Sequence, residues 1–153
     1  MYGQRPYKNT SRENNQKIIK QTITILRSGS MNKSFIFMLM IFCHIVDDYY
    51  LQGWLASAKQ KKYWKENAPE KLYKYDYIWA LIMHSFSWAF MVMIPIAFIK
   101  SFDLGIAFLV VFIFNLTAHA FTDDLKANKR KINLWTDQVI HLCQIAITAV
   151  ILL

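Results

Sequence analysis

The sequence predicts an all-α integral membrane protein, an up-and-down four-helix bundle with a polar His/Asp cluster toward one leaflet. Three observations predict it. Of the 153 residues, 55% are hydrophobic and 16% aromatic, too apolar for a soluble domain of this size. Four apolar runs, at about 34–55, 76–99, 103–121 and 134–153, each approach the ~20 residues that a helix needs to cross ~30 Å of hydrocarbon. All four histidines fall inside those runs, one in each: His44, His84, His119 and His141.

Residues 1–33 form a basic, polar segment whose KIIKQTITILR stretch reads either as a short amphipathic helix on a membrane surface or as a segment without order. A cleavable signal peptide is not expected, because the apolar run follows a long polar leader and no small-residue cleavage site comes after it; Met31 is an alternative start. The first run, SFIFMLMIFCHIVDDYYLQGWL, is expected to be helical because a backbone in lipid must satisfy its own hydrogen bonds, and Trp54 near its end suits the interface. The basic loop at 57–75 holds Pro69, which argues against one continuous helix and for short interfacial pieces. The second run, DYIWALIMHSFSWAFMVMIPIAFI, opens with the interfacial aromatics Tyr77 and Trp79 and carries Pro95 one turn before its end, where a kink is expected. A tight turn near Lys100 and Ser101 leads to the third run. A second basic loop at 122–136 leads to the fourth, with Trp135 at its start.

Lys and Arg gather in 1–33, 57–75 and 122–136, so the net charge of +8 reads as membrane-flanking charge. No basic, aromatic-interleaved platform accompanies them, and nucleic acid is not expected as a partner. Cys43 and Cys143 lie within apolar runs, which excludes a disulfide scaffold and makes both packing residues.

Ionisable groups inside a membrane are costly and mark function by default. Chain direction alternates in an up-and-down bundle, so His44 and His119, late in their helices, approach the same leaflet as His84 and His141, early in theirs. Acids follow at helical spacing. His44 precedes Asp47, Asp48 and Gln52; His119 precedes Asp123 and Lys126, with Asn115 one turn earlier; Asp137 precedes His141, and Gln144 and Thr148 continue that stripe. Ser87 and Trp88 share the face of His84. Taken singly, a membrane histidine is more often a hydrogen-bond partner between helices, and an aspartate near a helix end more often a cap. Four imidazoles and at least three carboxylates converging from four helices instead have the composition of a divalent transition-metal site for Zn, Mn or Fe, holding one or two ions. The expected ligands are His44, Asp48, His119, Asp123, Asp137 and His141; within the Asp47/Asp48 and Asp123/Asp124 doublets the choice stays open. His84 is expected as a ligand or general base, and Lys126 as the group that meets an anionic substrate. Lys59 reads as ordinary flanking charge. Gln52 and Gln138 either orient a ligand or join helices.

The combination His44-Asp48-Gln52, His84, His119-Asp123-Lys126 and Asp137-Gln138-His141 resembles a family of small bacterial and phage membrane proteins catalogued as domain of unknown function 3307, over about 34–145. The resemblance implies a bacterial or phage-encoded protein of the cytoplasmic membrane but carries no established chemistry. A looser similarity, in the style of His and Asp placed on membrane helices, is to inner-membrane metal-dependent hydrolases.

These readings lead to a membrane-embedded metal-dependent hydrolase acting on a lipid or lipid-linked substrate, with a homo-oligomer as one arrangement. The alternatives are a metal-ion or proton binding or transport protein, a haem protein with bis-histidine ligation, and a non-catalytic small membrane interaction protein. The histidine side carries six Lys in 57–75 and four basic residues in 122–136, against seven in 1–33 plus Lys100 on the other. The positive-inside rule therefore leans toward a cytoplasmic site.

Overall fold

In the computed structural model, Lys17 and residues 32–153 are described. The KIIKQTITILR stretch, beyond Lys17, and Met31 lie outside the described residues. Six α-helices and no strand make up the described part: α1 Lys33–Val46, α2 Leu55–Ala58, α3 Lys61–Asn67, α4 Asp76–Ile99, α5 Ile106–Ala127 and α6 Leu134–Leu152. A π-helical turn, Asp47–Leu51, extends α1, and a 3-10 turn, Lys71–Tyr73, precedes α4.

Four stretches are long and apolar enough to cross a membrane: Lys33–Leu51, Lys71–Ile99, Ile106–Ala127 and Leu134–Leu152. Each of α1, α4, α5 and α6 packs beside the next, and α6 closes the ring on α1, so neighbours in sequence are neighbours in space. The distribution of side chains is that of a bundle built for lipid. Phe35, Met38, Phe42, Phe86, Phe90, Leu109, Val110, Ile113, Val150 and Ile151 are exposed on the outside, while every histidine is buried inside.

Element boundaries match the expected runs closely except in the third. That helix starts at Ile106, behind the extended Gly105, and continues to Ala127, six residues past the expected end. The polar run Thr122–Lys126 stays helical because its side chains turn inward to partners: Asp123 to Lys59 and Lys126 to Asp137. What was expected as a basic loop from 122 is therefore helix up to Ala127, and only the short link to Leu134, with Arg130 at φ 52°, is loop. The 57–75 connection is broken into the expected short pieces around Pro69. The helix α4 runs through Pro95 to Ile99, and Ser101 and Phe102 at φ 51° and 59° make the turn after it.

The connection between α1 and α4 is folded back onto the bundle by one amide. Asn128, just past α5, accepts from the backbone N–H of Lys61 (2.7 Å) and donates to the carbonyl of Lys59 (3.1 Å) and to Asp124 (3.0 Å). This latch carries the Lys59 side chain into the interior.

At the far end from the histidines the core is apolar: Ile36 and Met40 from α1, Val92, Met93 and Ile96 from α4, Val111 from α5, Ile145 and Leu152 from α6. The histidine end is polar, and Trp88, with 0% exposure, sits between the two.

Candidate metal centre

The π-helical turn is what brings both members of the first acidic doublet inward. Its wider register lets successive residues share an inner face more nearly than an α-helix does, and such turns are common at functional sites. Asp47 Oδ1 accepts from Ser87 (2.6 Å), and its Oδ2 stands 3.9 Å from His84 Nδ1. Asp48 approaches the other side of the ring. Its Oδ1 lies 3.5 Å from His84 Nε2 and 4.0 Å from His119 Nε2. Asp47 thus stands behind His84 and Asp48 in front of it.

All four imidazoles meet. His84 and His119 have their Nε2 atoms 3.1 Å apart, His119 stacks on His141 with ring centroids 4.2 Å apart, and His44 lies edge-on to His141 at 5.8 Å. Trp88 also packs against His119 at 4.3 Å, and its ring centre is 5.4 Å from that of His141.

Two overlapping groups of donors emerge, each with its ligand atoms mutually close: Asp48, His84 and His119; and His119, Asp123 and His141. Asp123 stands between them. Its Oδ2 is 3.3 Å from His84 Nε2 and 3.9 Å from His119 Nε2, while its Oδ1 is 3.6 Å from His141 Nε2. These separations are longer than the ~2.7–2.9 Å of a charge-assisted hydrogen bond. They bracket the ~3.4 Å that separates two ligands held about 2.1 Å from a tetrahedral ion. Asp48 Oδ1, Asp137 Oδ1 and His141 Nε2 are buried here with no hydrogen-bond partner, the condition expected of atoms shaped to hold a cation.

Proton placement in the surrounding network turns lone pairs toward the cluster. His141 Nδ1–H donates to Gln144 Oε1 (3.0 Å), which leaves the Nε2 lone pair facing Asp123 and Asp137. At His84, by contrast, Nε2 is already engaged, 3.1 Å from Gln52 Nε2 and 3.1 Å from His119 Nε2, while Nδ1 stands 3.9 Å from Asp47. Gln144 in turn donates to the carbonyl of Asn115 (3.5 Å), whose amide donates to Thr148 (2.7 Å).

Charge points the same way. Asp47, Asp48, Asp123 and Asp137 bring four carboxylates, against the two ammonium groups of Lys59, paired with Asp123, and Lys126, paired with Asp137. With neutral imidazoles the buried set lacks two positive charges, which either one divalent ion or protons on two of the imidazoles would supply, and an uncompensated charge in a membrane interior is expensive.

Of the residues expected from sequence, Asp48, His119, Asp123 and His141 fall in the donor groups, and His84 joins them. His44 stands outside both, because both of its nitrogens are engaged: Nδ1 accepts from Trp88 Nε1 (2.7 Å) and Nε2 donates to Gln138 Oε1 (3.1 Å). Asp137 also stands outside, with Oδ2 held by Lys126 and by Gln138 (3.1 Å), and with Oδ1 3.5 Å from His141. Lys126 is half-buried, and its ammonium faces Asp137. Asp124 points away, paired with Lys129 at 3.0 Å, so of the second doublet only Asp123 lies in a donor group. Cys43 and Cys143 are free thiols in neither group.

Sequence reasoning missed Lys59. Expected to be flanking charge, it is 5% exposed and ion-paired to Asp123. Its one signal is its place in the loop, and only the Asn128 latch turns it inward. Gln138 bridges three members, adding a 3.3 Å contact to Asp48 to those with His44 and Asp137, so it joins helices and orients site groups at once.

Compared with protein-family models, curated proteins and solved structures, the chain finds no match.

Proposed function

We propose that the chain is a membrane-embedded, metal-dependent hydrolase acting on a lipid or lipid-linked substrate, within the family of small bacterial and phage membrane proteins that its motifs resemble. The observation that carries the metal is the donor set itself: carboxylate and imidazole atoms from α1's π turn, α4, α5 and α6 form two overlapping groups of three, each with its ligand atoms mutually close and His119 shared. His and Asp donors together suit Zn, Mn or Fe. An ion held there would supply Lewis acidity and an activated water for an ester or phosphoester, the hydrolysis adding water across the bond and releasing the alcohol. Asp48, His84 and His119, or His119, Asp123 and His141, would hold it, with Asp47 beside His84, Gln144 orienting His141, and Lys59 and Lys126 fixing Asp123 and Asp137.

The lipid substrate is supported by a groove of about 930 Å³ between α1 and α6, the most sparingly packed of the four seams. Its walls are apolar, Ile41, Ile45, Leu134 and Leu142, its rim is aromatic, and His44 and Gln138 line it where it meets the cluster. A chain dissolved in one leaflet lies along such a groove with its polar end at the site. Transport across the bundle is disfavoured by the apolar layer of Val92, Ile96, Val111 and Ile145 beyond the cluster.

The test uses detergent-purified protein loaded with Zn, Mn or Fe and mixed micelles of bacterial polar lipids or a lipid-linked pyrophosphate, with release of fatty acid or phosphate measured. Turnover that is abolished by chelation and by His119→Ala is the expected result. Protein without bound metal overturns the whole reading; stoichiometric metal without turnover on any of these substrates overturns the hydrolase and leaves an ion-binding protein.

A further inference from the structure

Outside the metal centre, the connection between α1 and α4 encloses a second concavity, of about 460 Å³, on the histidine side of the molecule. Four lysines line it, Lys61, Lys65, Lys71 and Lys74, with Trp64 and Tyr77 among the other walls and Glu70 as the one acid. None of the four is ion-paired among the described residues, whereas Lys59, Lys62, Lys126 and Lys129 each meet a carboxylate. Like charges gathered on a concave wall repel one another, and an anion removes that cost.

We propose that this concavity binds the phosphate headgroup of an anionic lipid. Three features favour a lipid over a dissolved anion. The pocket spans the start of the second membrane-crossing stretch, which begins at Lys71, so it lies at the level where headgroups lie. Its aromatic walls are of the kind that settle at a membrane interface. Two lysines are steadied against rings beside the pocket, Lys61 Nζ 4.7 Å from the centre of Tyr77 and Lys74 Nζ 5.1 Å from that of Tyr75, which leaves their remaining N–H groups for phosphate oxygens. The volume is in the range of small-ligand sites and accommodates a glycerophosphate headgroup while the acyl chains stay in the bilayer. Basic groups flanking a membrane helix act on anionic lipid through the same electrostatics. The site is separate from the His/Asp cluster and does not depend on its assignment.

The experiment titrates the full-length protein in neutral detergent with short-chain phosphatidylglycerol, short-chain phosphatidylcholine and inorganic phosphate, reading thermal stability and lipid retained in native mass spectrometry. Phosphatidylglycerol is expected to bind at least tenfold more tightly than either of the others. The double variant Lys65→Gln/Lys71→Gln is expected to lose at least tenfold of that affinity with its helical content and metal stoichiometry unchanged, while Lys131→Gln, which removes a charge away from the pocket, retains it. Equal binding of the two lipids, equal binding of inorganic phosphate, or an equal loss in Lys131→Gln would each overturn the proposal.

Discussion

At the histidine end the four long helices face one another with His, Asp, Gln and Lys; at the far end they do so with Ile, Met, Val and Leu. In lipid the second arrangement gains little from burial as such, since the surroundings are equally apolar, and its strength is close packing. The first arrangement is conditional. Its acids, bases and amides satisfy one another only in part, and several buried atoms are left without a hydrogen-bond partner. The comparison teaches that one end holds the bundle by close packing while the other gathers donor groups that could hold an ion.

Breaking the polar end at its centre gives the largest effect. The paired change His119→Ala with Asp123→Ala removes a member shared by both donor groups and the carboxylate between them. Elemental analysis is expected to fall from about one bound ion per chain to none, with far-ultraviolet circular dichroism unchanged because the apolar end persists. Retention of metal by that variant would erase the distinction between the two ends.

Next is Lys59→Met, which leaves Asp123 buried beside a lost partner. Metal-free protein is expected to lose roughly 3–5 kcal/mol of stability in an unfolding titration, and metal-loaded protein distinctly less, since the ion takes over the compensating charge. Equal losses with and without metal would separate Lys59 from the site.

At the far end, Ile96→Ala is expected to cost about 3 kcal/mol by leaving a cavity while leaving metal affinity unchanged, measured by paired unfolding and metal-binding titrations. Smallest is Gln138→Ala, which removes contacts to His44, Asp48 and Asp137 but deletes none of the donors themselves; metal affinity is expected to drop about tenfold.

The four spans and the convergence of the imidazoles were legible because both follow from one-dimensional facts. Apolar run length sets the crossing, and alternating direction sets depth, so His44 and His119 had to meet His84 and His141. The spacing of Asn115, Gln144 and Thr148 likewise announced inward faces, and these residues do bond to one another. What was hidden depends on backbone departures that spacing does not encode. The π turn after Val46 turns Asp47 and Asp48 together toward the interior. The continuation of α5 to Ala127 rests on ion pairs with residues far away in sequence. The inward path of Lys59 rests on a single asparagine 69 residues away. His44 shows a further limit: its spacing to Asp48 is that of a ligand pair, yet Trp88 and Gln138 occupy both of its nitrogens.

The seat of Trp88 has an optical consequence. Trp54, Trp79 and Trp135 lie more than half exposed on the outside, while Trp88 is sealed between three imidazole rings. With the partly buried Trp64 replaced by Phe, brominated detergent tails would darken the outer indoles and spare the inner one. The surviving emission would then respond to whatever enters the cluster, giving the protein a built-in lamp.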